Sequence, residues 1–214
     1  MKKSVAVLGL GNYGKSLAEK LYDMGADVLV VDKDEDLIKE FSSKCSAAIC
    51  ADLCNEEAVA ALGLKNMDVV ITAVAKNLTA SIIAVAVAKE QGVPLIIAKS
   101  SSNRMSSILL RVGANKVIDP EEEGGVRSAR ILMSSSFKDF FEIDDNMYVV
   151  EMAPKKDWIG KSLLELGLRK TLNINVIAIK KKGGLWQFSD SKTKFEEDHS
   201  LLVVMEKKDV KKVN

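Results

Sequence analysis

Six short apolar runs recur through the first 120 residues, and a segment with helical spacing of apolar residues follows each of the first five. The runs occupy residues 5–9, 27–32, 46–52, 68–74, 94–100 and 116–120. Their apolar residues are continuous rather than alternating, which predicts strands that are buried on both faces of a sheet. The regular alternation of strand and helix predicts an α/β fold with a doubly wound parallel sheet and right-handed crossovers.

The pattern changes after Pro120, and a second kind of domain is predicted there. The predicted elements are one long helix over 121–141, a strand over 146–153, a short amphipathic helix over 162–170, a hairpin over 174–188 and a last strand over 199–207. Gly183-Gly184 is a turn dipeptide at the centre of the hairpin, and residues 209–214 are expected to form a solvated tail. We predict two domains: residues 1–139, which include a connector helix from about residue 121, and residues 140–214, a small α+β domain.

The charge balance excludes several classes of protein. Thirty-one lysines and arginines face thirty aspartates and glutamates, a formal net charge of +1, so no global field favours nucleic acid or an anionic membrane. No run of 18 or more apolar residues is present, so no membrane-spanning helix is expected. The basic start of the chain leads into an apolar run without a small-residue cleavage site, and we interpret it as the first strand rather than a signal peptide.

Cysteine and histidine do not suggest a metal site. Cys45, Cys50 and Cys54 cluster within ten residues, and the single histidine, His199, lies far from them in the sequence. A zinc site would need a fourth ligand, and a disulfide would leave one thiol unpaired. We expect small buried or half-buried cysteines and a surface histidine at the entrance of a strand.

The stretch GLGNYGKS, residues 9–16, fits two phosphate-binding patterns. Gly9, Gly11 and Gly14 form G-x-G-x-x-G, which is typical of dinucleotide-binding Rossmann domains. Gly9 and Gly14 with Lys15 and the next serine also form G-x-x-x-x-G-K-S, the P-loop of nucleoside triphosphatases. Both patterns place a glycine-rich turn between a strand and a helix N-terminus, where backbone N–H groups and the helix dipole favour an anion.

Asp32 bears on the choice between the two patterns without deciding it. It follows the second apolar run about 20 residues after the glycines, where a Rossmann domain carries the acid that binds a ribose 2′-hydroxyl. A 2′-phosphate would be repelled there, so NADP is disfavoured. A P-loop protein could instead use Asp32 behind a magnesium ion, whereas the Rossmann alternative leaves Lys15 pointing to solvent. An NAD-dependent oxidoreductase is a further alternative, although no histidine occurs in the first 198 residues to act as acid or base.

Four longer stretches resemble the KtrA/TrkA family of cytoplasmic RCK-domain subunits that regulate potassium uptake. They are GLGNYGKSLAEKLYDMGADVLVVDKDEDLI, CADLCNEEAVAALGLKNMDVVITAVAKNLTAS, PLIIAKSSSN and VGANKVIDPEEEGG. The resemblance covers essentially the whole chain and implies a Rossmann-like RCK N-domain (TrkA-N) and a small α+β C-domain (TrkA-C). It implies a non-enzymatic protein that binds ATP, ADP or NAD(H). It also implies homodimers, assembled into a tetrameric or usually octameric ring, that dock on a membrane potassium-translocating subunit from the cytoplasmic side.

The same resemblance assigns roles to individual residues. The phosphate loop is Gly9, Leu10, Gly11, Tyr13 and Gly14; the ribose end is Asp32 and Lys33, with Asp34 beside them; the adenine edge is Ala51 and Asp52; the tip of the fourth strand is Ala73, Val74 and Ala75; Lys99 reaches phosphate oxygens. Glu121 matches an acid that helps to hold Mg²⁺ or Ca²⁺ at the nucleotide in some relatives. The acids after Pro120 also suit the first turn of a helix without any metal.

One position departs from the family pattern. Asn12 stands where members often carry an arginine that reaches a nucleotide phosphate across the dimer. Asparagine is neutral and shorter, so ADP, AMP or NAD(H) is as compatible with this sequence as ATP.

The C-terminal half resembles a domain that binds cyclic di-AMP in some relatives. The matching stretch is IGKSLLELGLRK, in which Leu163, Leu164 and Leu168 could wall a pocket and Arg169 could stack on adenine or pair with phosphate. An amphipathic helix with a surface arginine is the alternative. Trp158 and Trp186 are expected to make core or dimer contacts.

Overall fold

A computed structural model describes residues 2–133 and 137–213. The chain forms two compact units, residues 1–122 and residues 123–214. Within the described residues, no helix combines the length and apolar character that a membrane crossing requires.

Unit 1 is built from alternating strands and helices. They are β1 Ser4–Leu8, α1 Asn12–Asp23, β2 Asp27–Asp32, α2 Glu35–Phe41, β3 Ala47–Cys50, α3 Glu56–Ala60, β4 Val69–Thr72, α4 Leu78–Glu90, β5 Leu95–Lys99, α5 Asn103–Val112 and β6 Lys116–Ile118. The strands form one parallel sheet in the order β3-β2-β1-β4-β5-β6. This is the strand order of the Rossmann fold, so the predicted fold class is confirmed.

Two apolar clusters cover the two faces of this sheet. Alternate residues of β1 show the arrangement: Val5 and Val7 pack with α1 and α2, whereas Ala6 and Leu8 pack with α3, α4 and α5. The central strands therefore have no polar face, which explains the continuous apolar runs in the sequence. β3 lies at one edge and is mostly exposed.

Unit 2 contains an antiparallel sheet with short helices. Its elements are α6 Pro120–Leu132, which begins in unit 1, then β7 Phe137–Glu142, β8 Met147–Met152, α7 Leu163–Leu166, α8 Leu168–Thr171, β9 Ile174–Lys181, β10 Gln187–Phe188 and β11 His199–Glu206. The strand order is β10-β9-β11-β8-β7. Burial alternates strictly along β8, because only one face of the sheet packs on the core.

The long helix predicted over 121–141 is wrong. α6 ends at Leu132, and residues 137–142 form β7, which pairs with β8. Phe137 and Phe140 are buried there against Tyr148, with Phe140 and Tyr148 ring centroids 4.6 Å apart. Residues 134–136 of the predicted helix lie outside the described residues, and the predicted domain boundary at 139/140 falls inside β7.

Three smaller predictions for unit 2 also need correction. The helix predicted over 162–170 is broken by Gly167, which has a left-handed backbone (φ +56°). The predicted solvated tail is partly a 3₁₀ helix, in which Asp209 is 1% exposed and bonds Lys212 and Asn173. His199 is buried rather than on the surface, because it starts the central strand β11 and its Nδ1 accepts the Glu196 N–H.

The three cysteines are free and differ in exposure. Cys45 is buried and Cys54 is half-buried, as predicted, but Cys50 is exposed because it ends the edge strand β3.

Candidate functional site

The residues predicted to form a site follow the carboxyl ends of all six parallel strands. The loops involved are 9–14 after β1, 32–34 after β2, 51–52 after β3, 73–75 after β4, Lys99 at the end of β5 and Glu121 after β6. β1 lies between β2 and β4, so the chain order reverses at the β1/β4 boundary. Ligands of open α/β sheets bind in the crevice at this reversal, outside the carboxyl edge.

The three glycines of the first loop have three different steric roles. Gly9 has φ +107°, and a Cβ there would lie 2.6 Å from Val74 Cγ1. A Cβ on Gly14 would lie 1.9 Å from the Gly9 carbonyl oxygen, so α1 can approach the strand only with glycine at this position. A Cβ on Gly11 would meet nothing within 4 Å, which leaves open space beside the backbone. A tight turn, close helix–strand packing and open access for a pyrophosphate are the roles of the Rossmann glycines.

The start of α1 is suited to an anion. The helix begins at Asn12, with Gly11 as a cap that supplies no side-chain hydrogen bond. The first-turn N–H groups of a helix have no intrahelical acceptor, and the dipole is positive there. Asn12 itself is exposed.

Lys15 does not take the position that a P-loop lysine needs. It lies in the first turn of α1 with its Nζ 3.6 Å from Glu40 Oε2 on α2, and its side chain is 31% exposed. The Rossmann strand order and the roles of the three glycines therefore account for the motif, and Lys15 is a partly exposed helix lysine.

Asp32 is held next to the glycine loop. The Leu10 N–H donates to Asp32 Oδ2 at 2.6 Å, and the Asp34 N–H donates to Oδ1 at 3.1 Å. Each carboxylate oxygen accepts one backbone hydrogen bond and keeps a second acceptor position. Asp32 is half-buried and can therefore accept ribose hydroxyls, whereas Lys33 is exposed and the Asp34 side chain caps α2.

The loops after β3 and β4 are joined by a side-chain contact. Asn77 caps α4 and also donates from Nδ2 to Cys54 Sγ at 3.1 Å. Asp52, which is exposed, accepts the Cys54 N–H at 2.9 Å. Ala51, Val74 and Ala75 are half-buried and Ala73 is buried. Ala73 and Val74 lie directly beside Gly9, and Ala73 also lies beside Gly14.

Lys99 places a cation beside the first turn of α1. Its Nζ is 2.5 Å from Glu121 Oε1 and 5.8 Å from the centre of the Tyr13 ring. The Lys99 hydrogen bond, with smaller contributions from a backbone N–H and from Lys76, holds the pKa of Glu121 below its ordinary value. Lys76 is therefore a further candidate residue for this site, one that the sequence did not predict. Its position directly after Ala75, at the sheet reversal, was the available signal.

The four residues predicted to hold a second ligand line one groove of unit 2. Leu163, Leu164, Leu168 and Arg169 surround a groove of about 380 Å³ together with Ile174. Leu164 is 72% exposed and Leu168 is buried. The groove is apolar with a cationic rim.

The two tryptophans have different surroundings. Trp158 is 3% exposed and packs against Phe195 in the core of unit 2. Trp186 is 38% exposed, and the Lys180 ammonium lies 4.4 Å from its ring centre.

The fold is a Rossmann-type parallel domain followed by a small antiparallel domain, and the candidate site lies at the carboxyl edge of the parallel sheet. The TrkA-N domain model matches residues 5–120, and the TrkA-C domain model matches residues 147–214. The chain therefore belongs to the family of potassium uptake proteins that combine these two domains, as the sequence resemblance predicted.

Individual relatives agree with this assignment. The chain is 34% identical to the Ktr system potassium uptake protein C of Bacillus subtilis over 85% of this chain and 82% of the relative. It is 33% identical to the Ktr system potassium uptake protein A of Vibrio alginolyticus, over 94% and 92% of the two chains. The solved GsuK channel bound to NAD superposes with a TM-score of 0.67 at 16% identity, covering 98% of this chain and 38% of that one. This last likeness concerns the fold alone.

Proposed function

We propose that this chain is a regulatory subunit that senses an adenine nucleotide and thereby controls a membrane potassium transporter. The relatives of 33–34% identity are potassium uptake proteins, and this chain covers 82% and 92% of their lengths. We infer a non-enzymatic role, because the described residues of the site include groups that can bind a nucleotide and none of them is arranged as a nucleophile with its base.

The main observation in favour of nucleotide binding is that the glycine loop and Asp32 lie next to each other. The phosphates would lie over Gly11 and the start of α1, within reach of Lys99. The ribose hydroxyls would bond Asp32, and the adenine would lie toward Ala51 and Asp52. A channel that shares this fold was solved with NAD bound. The Asp32 carboxylate would repel a 2′-phosphate, which favours ATP, ADP, AMP or NAD(H) over NADP.

A divalent cation fits this site only together with the nucleotide. Glu121 is a single carboxylate with a 67% exposed side chain, too few ligands for a cage made by one chain alone. Mg²⁺ is commonly held by one or two carboxylates and by phosphate oxygens. Glu121 would then be the protein ligand of Mg²⁺ or Ca²⁺.

The second unit and the partners complete the proposal. The groove lined by Leu163, Leu164, Leu168 and Arg169 has the apolar wall and cationic rim that cyclic di-AMP would need. The chain would act as homodimers assembled in a tetrameric or octameric ring on the cytoplasmic face of the membrane, docked on a potassium-translocating subunit. A nucleotide shifts such a ring between two shapes only by its difference in affinity for them.

Calorimetry on the full chain tests the nucleotide site. We expect Asp32→Ala to weaken binding of ADP, ATP or NADH by at least about tenfold, about 1.4 kcal/mol. Asp27→Ala is the matched control at the opposite end of β2, where Asp27 bonds Lys2 at 2.7 Å, and it should leave the affinity unchanged. Equal affinity of the Asp32 variant and the wild type would remove Asp32 from the site. Native mass spectrometry of the same sample measures the ring size and identifies any co-purified nucleotide.

A further inference from the structure

Lys99 has a large fraction of its surface buried for a lysine. Its side chain is 11% exposed, and its ammonium group has Glu121 as a carboxylate partner at 2.5 Å. Tyr13, in the first turn of α1, lies beside the same ammonium. The cation therefore faces the edge of the sheet where the glycine loop would hold phosphates.

Lys99 needs the ion pair with Glu121 more than Glu121 needs Lys99. A buried ammonium loses its hydration and requires an anion or strong acceptors in exchange. The Glu121 side chain is 67% exposed and regains hydration easily when it leaves Lys99. Lys99 therefore requires an anion at this position, but that anion can be either Glu121 or a group that displaces it.

We propose that Glu121 is a built-in competitor of the nucleotide phosphate for Lys99 and that it sets the affinity and phosphate preference of the site. This inference rests on the proposed function. In the absence of a divalent cation, an arriving phosphate takes the Lys99 ammonium and the Glu121 carboxylate moves into solvent; the freed carboxylate is then available to a cation that accompanies the nucleotide. A diphosphate carries more negative charge than a monophosphate and displaces Glu121 more effectively, so the competition favours ADP over AMP.

The position of Glu121 gives this exchange a structural consequence. It lies in the first turn of α6, directly after Pro120, and the rest of that helix belongs to unit 2. The exchange removes a contact between the end of β5 and the first turn of α6, both of which lie in unit 1.

Titration calorimetry in EDTA tests this competition without divalent cations. The titrants are ADP and inorganic pyrophosphate, and the proteins are the full wild-type chain, Glu121→Gln, Lys99→Met and the double variant. We expect Glu121→Gln to tighten binding about 3- to 10-fold and Lys99→Met to weaken it at least tenfold. In the Lys99→Met background, Glu121→Gln should change the affinity less than twofold.

Glu122→Gln is the matched control, because it removes the same charge one residue further along α6 and should leave the affinity within twofold. A melting-temperature series adds a second measurement: ADP should raise the melting temperature of Glu121→Gln more than that of the wild type. The proposed competition would be overturned if Glu121→Gln bound ADP more weakly than the wild type, or if Glu121→Gln and Glu122→Gln gained equally in affinity. Either result would leave nucleotide binding by the wild type intact. A wild type that binds neither ADP nor pyrophosphate would overturn the proposed function as well.

Discussion

The two units of this protein use their sheets differently. The parallel sheet of unit 1 is covered by apolar clusters on both faces, so the polar side chains of its central strands lie at the strand ends. The antiparallel sheet of unit 2 has one core face, and ion pairs such as Lys180–Glu151 and Arg127–Asp139 are distributed over the rest. A site could therefore be located in unit 1 from topology alone. In unit 2 only the groove beside α7 and α8 gathers the predicted residues.

The contrast also appears in what holds each region together. At the site edge of unit 1, neighbouring atoms approach Gly9 and Gly14 so closely that no side chain would fit there. The core of unit 2 depends instead on contacts between large aromatic side chains. Substitutions that affect one unit and spare the other test this difference.

The largest expected effect is in the core of unit 2. Trp158→Ala removes a side chain that is 3% exposed and should cost about 3–5 kcal/mol of the free energy of unfolding of that unit. Both tryptophans lie in unit 2, so the fluorescence of Trp186 in urea still follows its unfolding. Trp186→Ala is the control and should cost less than about 1 kcal/mol. In native buffer the nucleotide affinity of unit 1 should stay within twofold, and a large loss would show that the two units are not independent.

The next prediction compares the loss of stability caused by substituting two glycines of the same loop. Gly14→Ala places a methyl group 1.9 Å from the Gly9 carbonyl oxygen, so the backbone must shift, at a cost of about 1–3 kcal/mol. Gly11→Ala meets nothing within 4 Å and should cost less than about 1 kcal/mol. Both should weaken nucleotide binding, the first by displacing α1 and the second by obstructing the phosphate. Urea unfolding followed by far-ultraviolet circular dichroism measures the stabilities, and equal losses for the two variants would contradict the assigned roles.

A smaller effect in unit 2 depends on pH. Arg127 donates to both oxygens of Asp139, and this contact holds the pKa of that carboxyl below its ordinary value. Because the folded-state pKa is lowered, the stabilisation is fully present above the unfolded value, about 4, and is lost as the pH falls through the folded value. Arg127→Gln should therefore be less stable than the wild type at pH 7, by up to about 1 kcal/mol, and this deficit should shrink at pH 3.

Urea titrations at the two pH values measure this deficit, with Arg111→Gln on α5 of unit 1 as the control. A deficit that is the same at pH 3 and pH 7 would mean that the Asp139 carboxylate does not contribute.

The smallest effect is expected at Lys15. Lys15→Ala breaks a surface pair with Glu40 and should change stability by less than about 0.5 kcal/mol and nucleotide affinity by less than twofold. A P-loop enzyme would instead lose Mg²⁺-dependent turnover of ATP in this variant. A phosphate-release assay on the wild type and the variant distinguishes the two, and steady turnover by the wild type alone would favour hydrolysis.

Much of unit 1 could be predicted because its signals are local. These signals are the continuous apolar runs, the glycines at the strand–helix turn and Asp32 at the end of the second strand. Each of them can be recognised in a short segment of the chain. The segment 137–141 misled the prediction because Phe137, Phe140 and Phe141 have helical spacing. A β-bulge between Phe137 and Asp139 lets Phe137 and Phe140 face the same core from a strand, so pairing with β8 prevailed over local spacing.

The residues of this chain by themselves determined the strand–helix alternation, the Rossmann class of unit 1 and the family, because these depend on periodicity and on short motifs. Only the tertiary structure decided that His199 is buried and that residues 137–142 pair as a strand. It also decided that Lys99 and Glu121, 22 residues apart, meet at one edge of the sheet. Each of these outcomes depends on which strands become neighbours, and that is set by the packing of the whole unit rather than by any local pattern.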